Sequence, residues 1–169
     1  MRTLMIGFDG TSLPEHVGSW IDQGLGGVIL FRRNIESLEQ LIALNGEILG
    51  RQRALMLGVD EEGGRVRRLR GITSDLPPMA ALGATGDPQV AYRCGALLGR
   101  ELAALGFSIN FAPILDIHTN PANPVIGDRA FATSAQAVID MALPFARGLQ
   151  DMGVAACGKH FPGHGDTDT

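Results

Sequence analysis

The chain has 169 residues, the size of one ordinary domain, of which 45% are apolar, 19% charged and 5% aromatic. This apolar content excludes a disordered chain, and the net charge of −4 argues against a nucleic-acid-binding protein, which requires a basic surface. No apolar run reaches the roughly 20 residues needed to span a bilayer, and Asp9 comes too early for a signal peptide. Only two cysteines are present, which favours a reducing compartment, so we predict a cytoplasmic protein without a membrane span.

The first half of the sequence alternates short apolar runs with helical patterns. The runs are predicted to be parallel strands, because several are apolar on both faces. Apolar residues at helical spacing follow the first two strands, with Trp20 on the apolar face of the first helix and Gly50 as the end of the second. The predicted strands cover residues 3–8, 27–31 and 54–60.

The second half continues the same alternation, with two long loops inserted. Asp87 followed by Pro88 is typical of a helix start. Thr133 and Gln136 have the spacing of a capping box before a helix that runs through Met152. Strands are predicted at 107–117 and 154–159, and long connections at 61–86 and 118–132.

The order of these elements fits either a doubly wound sheet or a barrel. Polar side chains come directly after the predicted strands, and barrel enzymes assemble their sites from several strand ends. A doubly wound fold usually carries a glycine-rich turn after its first strand, which the segment 8–11 lacks. We therefore predict an α/β fold, a (β/α)8 TIM barrel of which residues 1–169 supply about the first five βα units of a single domain. The strand-end residues are Asp9, Arg32, Asp60, Asp116 and His160.

The first dense polar segment is Asp60–Glu61–Glu62–Gly63–Gly64, followed by a basic stretch at 65–70. Asp60 ends a strand, so its carboxylate is expected to point into the mouth of a barrel and to accept hydrogen bonds from adjacent hydroxyl groups. Arg68 would return towards it as a fixed donor. A solvated surface turn is an equally open interpretation, whereas the sequence disfavours a phosphate-binding loop because its G-x-x-x-x-G-K-[ST] order is missing.

The second polar segment is the loop 120–131. Its two Asn-Pro steps indicate an ordered loop rather than a linker. Arg129 either pairs with the adjacent Asp128 or binds a polar or anionic group of a substrate. The spacing leaves both alternatives open.

The third segment follows the last predicted strand, where Lys159 and His160 offer hydrogen-bond donors to a ligand. His160 and His164 would share one face of a helix and suit zinc there. Pro162 and Gly163 lie between them and make a helix improbable. We therefore predict no metal site and no cofactor.

Three motifs, DEEGGRVRRL, NPANPVIGDRAF and KHFPGHGDT, resemble glycoside hydrolase family 3, in its bacterial β-N-acetylhexosaminidase branch (NagZ type). The resemblance covers essentially the whole chain, in the order of the first half of the family. It implies a (β/α)8 barrel and retaining hydrolysis of terminal β-linked N-acetylglucosamine from muropeptides, as in peptidoglycan recycling. A β-glucosidase or phosphorylase of the same family and a sugar-binding fragment without catalysis are the alternatives; the KHFPGHG run disfavours the β-glucosidases.

The same resemblance assigns roles to individual residues. In the family, the nucleophile is an aspartate on a later strand, and the acid/base is the histidine of an Asp-Ser-His loop that follows KHFPGHGDT. Both are expected beyond Thr169, so no catalytic group is predicted in this chain, which would end within the catalytic loop. The implied ligand is a saccharide or muropeptide that contains N-acetylglucosamine. The implied substrate-binding residues are Asp60, Arg68, Arg129, Lys159 and His160.

Overall fold

The computed structural model describes residues 2–168, so the predicted end of the domain at Thr169 lies outside the described residues. Seven strands form within them. The strands are β1 (Met5–Ile6), β2 (Gly27–Leu30), β3 (Met56–Val59), β4 (Glu61–Gly63), β5 (Val66–Arg67), β6 (Ile109–Asn110) and β7 (Ala155–Ala156).

Five of these strands form one parallel sheet in the order β1-β2-β3-β6-β7. Within this sheet, each strand therefore pairs with the strand that follows it in the sequence, as in a barrel. A doubly wound sheet would reverse its order at a switch point. The predicted fold class is confirmed, although the strands are shorter than predicted because only two to four residues of each join the ladder.

Helices connect the strands on one side of the sheet. The N-terminus of α4 (Pro88–Ala104) is confirmed, because the Asp87 carboxylate accepts the Gln89 backbone N–H at 2.8 Å and Pro88 is the first helical residue. Two helix boundaries were predicted wrongly: Ser134 rather than Thr133 caps α5 (Ala135–Asp151), and α2 (Leu38–Arg51) continues through Gly50. The helices are α1 (Glu15–Asp22), α2 (Leu38–Arg51), α3 (Met79–Thr85), α4 (Pro88–Ala104) and α5 (Ala135–Asp151). None of the helices formed by residues 2–168 is long and apolar enough to cross a membrane.

The core lies between the sheet and these helices. Because side chains alternate along a strand, one face of β2 and β3 is fully buried, with Val28, Leu30, Leu57 and Val59 all at 0% exposure. Trp20 is an exception to the predicted pattern, because it is 40% exposed and meets the His16 ring edge-on at 5.1 Å.

The segment 61–86, predicted as a plain connection, contains the antiparallel pair β4–β5 and the helix α3. The buried Glu61 carboxylate organises it, accepting the backbone N–H groups of Arg68 and Leu69 at 2.7 and 2.9 Å. Arg67 is only 7% exposed and donates to Glu61 at 3.1 Å. The interpretation of residues 65–70 as a solvated turn is therefore wrong for Arg67, whose charge is paired inside the protein.

Candidate functional site

The carboxyl ends of β3 and β7 bring two of the predicted site residues into contact. Asp60 directly follows β3, and its Oδ1 atom lies 2.6 Å from Nζ of Lys159, which comes three residues after β7. The guanidinium of Arg68 approaches the other carboxylate oxygen of Asp60 at 3.7 Å. Asp60, Arg68 and Lys159 thus meet at the sheet edge where the sequence predicted them.

Glu62 joins this group to Arg129. Its carboxylate accepts two hydrogen bonds from Arg129, from Nε and Nη2 at 2.9 Å each, and lies 2.6 Å from Nζ of Lys159. Only 2% of its side chain is exposed. Glu62 was not predicted as a site residue, yet the sequence held a signal for it. Residues two apart in an extended chain point to the same side, so the Glu62 side chain lies on the side of Asp60.

The sequence left two partners open for Arg129, the adjacent Asp128 or a ligand. The prediction that Arg129 pairs with Asp128 is wrong. Asp128 instead binds Arg65 at 2.9 Å, and both of these side chains are exposed. Arg129 binds the buried Glu62, because a planar guanidinium and a carboxylate match in two parallel hydrogen bonds. Burial lowers the pKa of Arg129, but the hydrogen bonds and charge of Glu62 outweigh it and keep this pKa above its ordinary value. Arg129 is therefore a permanent cation.

His160 is oriented by a separate carboxylate. Its Nδ1 atom lies 2.6 Å from Oδ2 of Asp116, whose side chain is fully buried. Asp116 also accepts the backbone N–H of His164 at 2.6 Å. Since a carboxylate only accepts, Nδ1 of His160 carries the hydrogen and Nε2 is left for a ligand. The sequence placed Asp116 at a strand end but did not include it in the site.

The loop 160–168 is held by the loop 118–132. The His164 carbonyl accepts from the Asn123 side chain at 2.7 Å, and Thr119 donates to Asp166 at 2.9 Å. The chain between His160 and His164 is not helical, as predicted, and their rings meet edge-to-face at 5.7 Å. Within residues 2–168, no three His, Cys, Asp or Glu side chains are grouped so as to hold a metal ion.

Four of the five predicted site residues therefore form one charged network with Glu62 at the sheet edge, and His160 directly follows Lys159 in the chain. The network offers carboxylate acceptors and cationic donors side by side. A sugar hydroxyl both donates and accepts a hydrogen bond, so such an arrangement can bind it in both ways. The geometry suits recognition of a polyhydroxylated ligand.

Several known proteins are similar to this chain in sequence and in fold. A β-hexosaminidase of Thiobacillus denitrificans (strain ATCC 25259 / T1) is 46% identical over 170 residues, which cover 96% of this chain and 47% of the relative. A glycoside hydrolase family 3 β-N-acetylglucosaminidase from Paenibacillus sp. str. FPU-7 superposes with a TM-score of 0.92 at 42% identity, covering 98% of this chain and 32% of the other.

A third similar structure is NagZ from Neisseria gonorrhoeae in complex with N-trifluoroacetyl-D-glucosamine. It superposes with a TM-score of 0.88 at 38% identity, covering 96% of this chain and 50% of the other. The same protein has also been solved in complex with a zinc ion. The chain spans about half the length of the curated relatives it matches. Residues 11–169 match the profile of the glycosyl hydrolase family 3 N terminal domain, and the chain belongs to this family.

Proposed function

We propose that the full-length protein that carries this chain is a retaining β-N-acetylhexosaminidase. It removes terminal β-linked N-acetylglucosamine, with muropeptides as natural substrates, and acts in cytoplasmic peptidoglycan recycling. The observation that carries the proposal is the network of Asp60, Glu62, Arg68, Arg129 and Lys159 at the strand ends of a family 3 fold. The names of the similar proteins support the same activity.

Within this proposal, residues 1–169 are the N-terminal part of a single barrel domain, ending in the catalytic loop, and supply much of its sugar-binding surface. Asp60 accepts hydrogen bonds from sugar hydroxyls, while Arg68, Arg129 and Lys159 donate to sugar oxygens. His160 offers Nε2, because its Nδ1 is engaged by Asp116. The nucleophile and the acid/base come from residues outside this chain. The low cysteine content, two in 169 residues, is the support for the cytoplasmic location.

Hydrolysis of aryl glycosides by the full-length protein tests the proposal. We expect turnover of an aryl β-N-acetylglucosaminide, little turnover of the aryl β-glucoside, and a β-configured sugar as the first product seen by NMR. Release of N-acetylglucosamine from muropeptides would establish the natural substrate class. A preference for the glucoside, or formation of a sugar 1-phosphate when phosphate is present, would replace the hexosaminidase by the β-glucosidase or phosphorylase alternative. Sugar binding without any turnover would favour a binding protein.

A further inference from the structure

Two cations of the site share one buried anion. Glu62 binds Arg129 through two hydrogen bonds of 2.9 Å and lies 2.6 Å from Nζ of Lys159. Lys159 and Arg129 are 16% and 12% exposed, so both cations face the surface slightly while Glu62, at 2%, does not. The carboxylate is therefore more deeply buried than the two cations that it binds.

The remaining donors of both cations depend on this contact. A guanidinium has five N–H donors, and Arg129 uses three of them on Glu62 and the Val125 carbonyl. An ammonium group has three donors, and Lys159 has Asp60 and Glu62 within 2.6 Å. Within residues 2–168, these contacts leave two donors on Arg129 and one on Lys159, with their directions fixed by Glu62.

Fixing these directions matters because both side chains are long and flexible. Each has many rotamers in the free state, and a ligand that had to order them on binding would lose affinity. A neutral sugar cannot order the two cations through its charge, so they must be oriented before it arrives. A buried carboxylate between them provides that orientation.

We propose that Glu62 is a positioning residue, which aims Arg129 and Lys159 at the same sugar without touching it. The proposal rests on the proposed function, because it assumes that these two cations bind the sugar. Its consequence is that loss of the Glu62 charge weakens sugar binding as strongly as loss of a residue that contacts the sugar.

The test compares variants of the full-length protein for N-acetylglucosamine affinity by calorimetry and for KM and kcat on an aryl β-N-acetylglucosaminide. Glu62→Gln keeps the shape and removes the charge, and we expect the dissociation constant to rise at least tenfold. The matched control is Glu101→Gln, because the Glu101 carboxylate binds the Ser74 backbone N–H at 2.9 Å rather than a site residue. The control is expected to change the dissociation constant less than twofold.

A double-mutant cycle separates positioning from general damage to the fold. If Glu62 acts through Arg129, the effect of Glu62→Gln should shrink at least threefold in an Arg129→Ala background. An equal effect in both backgrounds would refute the coupling. Glu62→Asp keeps the charge but is one methylene shorter, so we expect an intermediate rise of two- to fivefold. That variant decides the question if Glu62→Gln does not fold: wild-type affinity of Glu62→Asp would then overturn the proposal.

The two proposals fail in different ways. Absence of both N-acetylglucosamine binding and turnover in the wild-type protein removes the proposed function, and the role of Glu62 with it. Wild-type activity together with unchanged affinity in folded Glu62→Gln removes only the positioning role.

Discussion

Helices α4 and α5 pack so closely that some of their glycines have no room for a side chain. A Cβ atom on Gly95 would lie 2.9 Å from the carbonyl carbon of Phe145 and closer still to its oxygen. Gly46 in α2 is exposed and has no atom within 4 Å of the same position. The same substitution should therefore have opposite effects at the two sites: Gly95→Ala destabilises the protein and Gly46→Ala stabilises it.

The sizes of the two changes in the free energy of unfolding follow from two opposing effects, the helix propensity of alanine and steric overlap. Alanine is favoured over glycine inside a helix by about 1 kcal/mol, so Gly46→Ala should raise the free energy of unfolding by up to that amount. Gly95→Ala gains the same term but forces an overlap, which costs about 1–3 kcal/mol or more. We take the upper end because the obstructing atoms belong to the backbone and cannot rotate aside. The net result at Gly95 is a loss of about 2 kcal/mol.

Urea unfolding of the full-length variants measures both changes, and a constant m value confirms that they are changes in stability. The two free energies of unfolding should differ by about 3 kcal/mol. Equal effects, or a stabilised Gly95→Ala variant, would refute the close crossing of α4 and α5. The crossing matters for the site, because α4 and α5 lead into β6 and β7, after which Asp116 and Lys159 follow.

Three further predictions concern the site. Asp60→Ala should weaken N-acetylglucosamine binding at least tenfold, because a charged hydrogen bond contributes about 1.5–3 kcal/mol; an unchanged dissociation constant in calorimetry would contradict the role of Asp60. Asp116→Asn should lower kcat/KM for an aryl β-N-acetylglucosaminide at least tenfold, because Asn no longer obliges Nδ1 of His160 to carry the hydrogen; wild-type kinetics would show that Asp116 does not set the orientation of the ring. Activity should survive treatment with EDTA, and its loss with recovery on adding zinc would overturn the prediction of a metal-free site.

Much of the fold could be predicted because strong local signals mark it. The buried strands read as apolar runs, and Asp87-Pro88 defines a helix start through chemistry confined to two residues. The boundary at Gly50 was wrong because α2 continues to Arg51, whose guanidinium pairs with Asp22 at 2.7 Å. The cap at Thr133 was wrong because the adjacent Ser134 is a better cap, and its hydroxyl accepts the Ala137 backbone N–H. The β4–β5 pair escaped detection because Glu61, the residue that organises it, is charged and buried against Arg67.

The positions of the site residues were predictable, but their partners were not. Strand ends placed Asp60 and Lys159 on one edge, since parallel strands deliver their carboxyl ends together. The partner of Arg129 lies 67 positions away, whereas the plausible neighbour Asp128 lies beside it in the sequence. Glu61 and Glu62 are chemically identical, and only the strand geometry sends one to Arg67 and the other to Arg129.

The sequence separation of the site contacts affects the order in which the protein folds. Asp60 and Lys159 are 99 positions apart, and Glu62 and Arg129 are 67 apart. Closing loops of this length costs conformational entropy before any contact compensates for it, so distant pairs form after the local turns and helices. During synthesis, Asp60 leaves the ribosome long before Lys159, and Glu62 long before Arg129, so these two ion pairs can form only late. Substitutions at these pairs should accordingly accelerate unfolding while leaving the folding rate nearly unchanged.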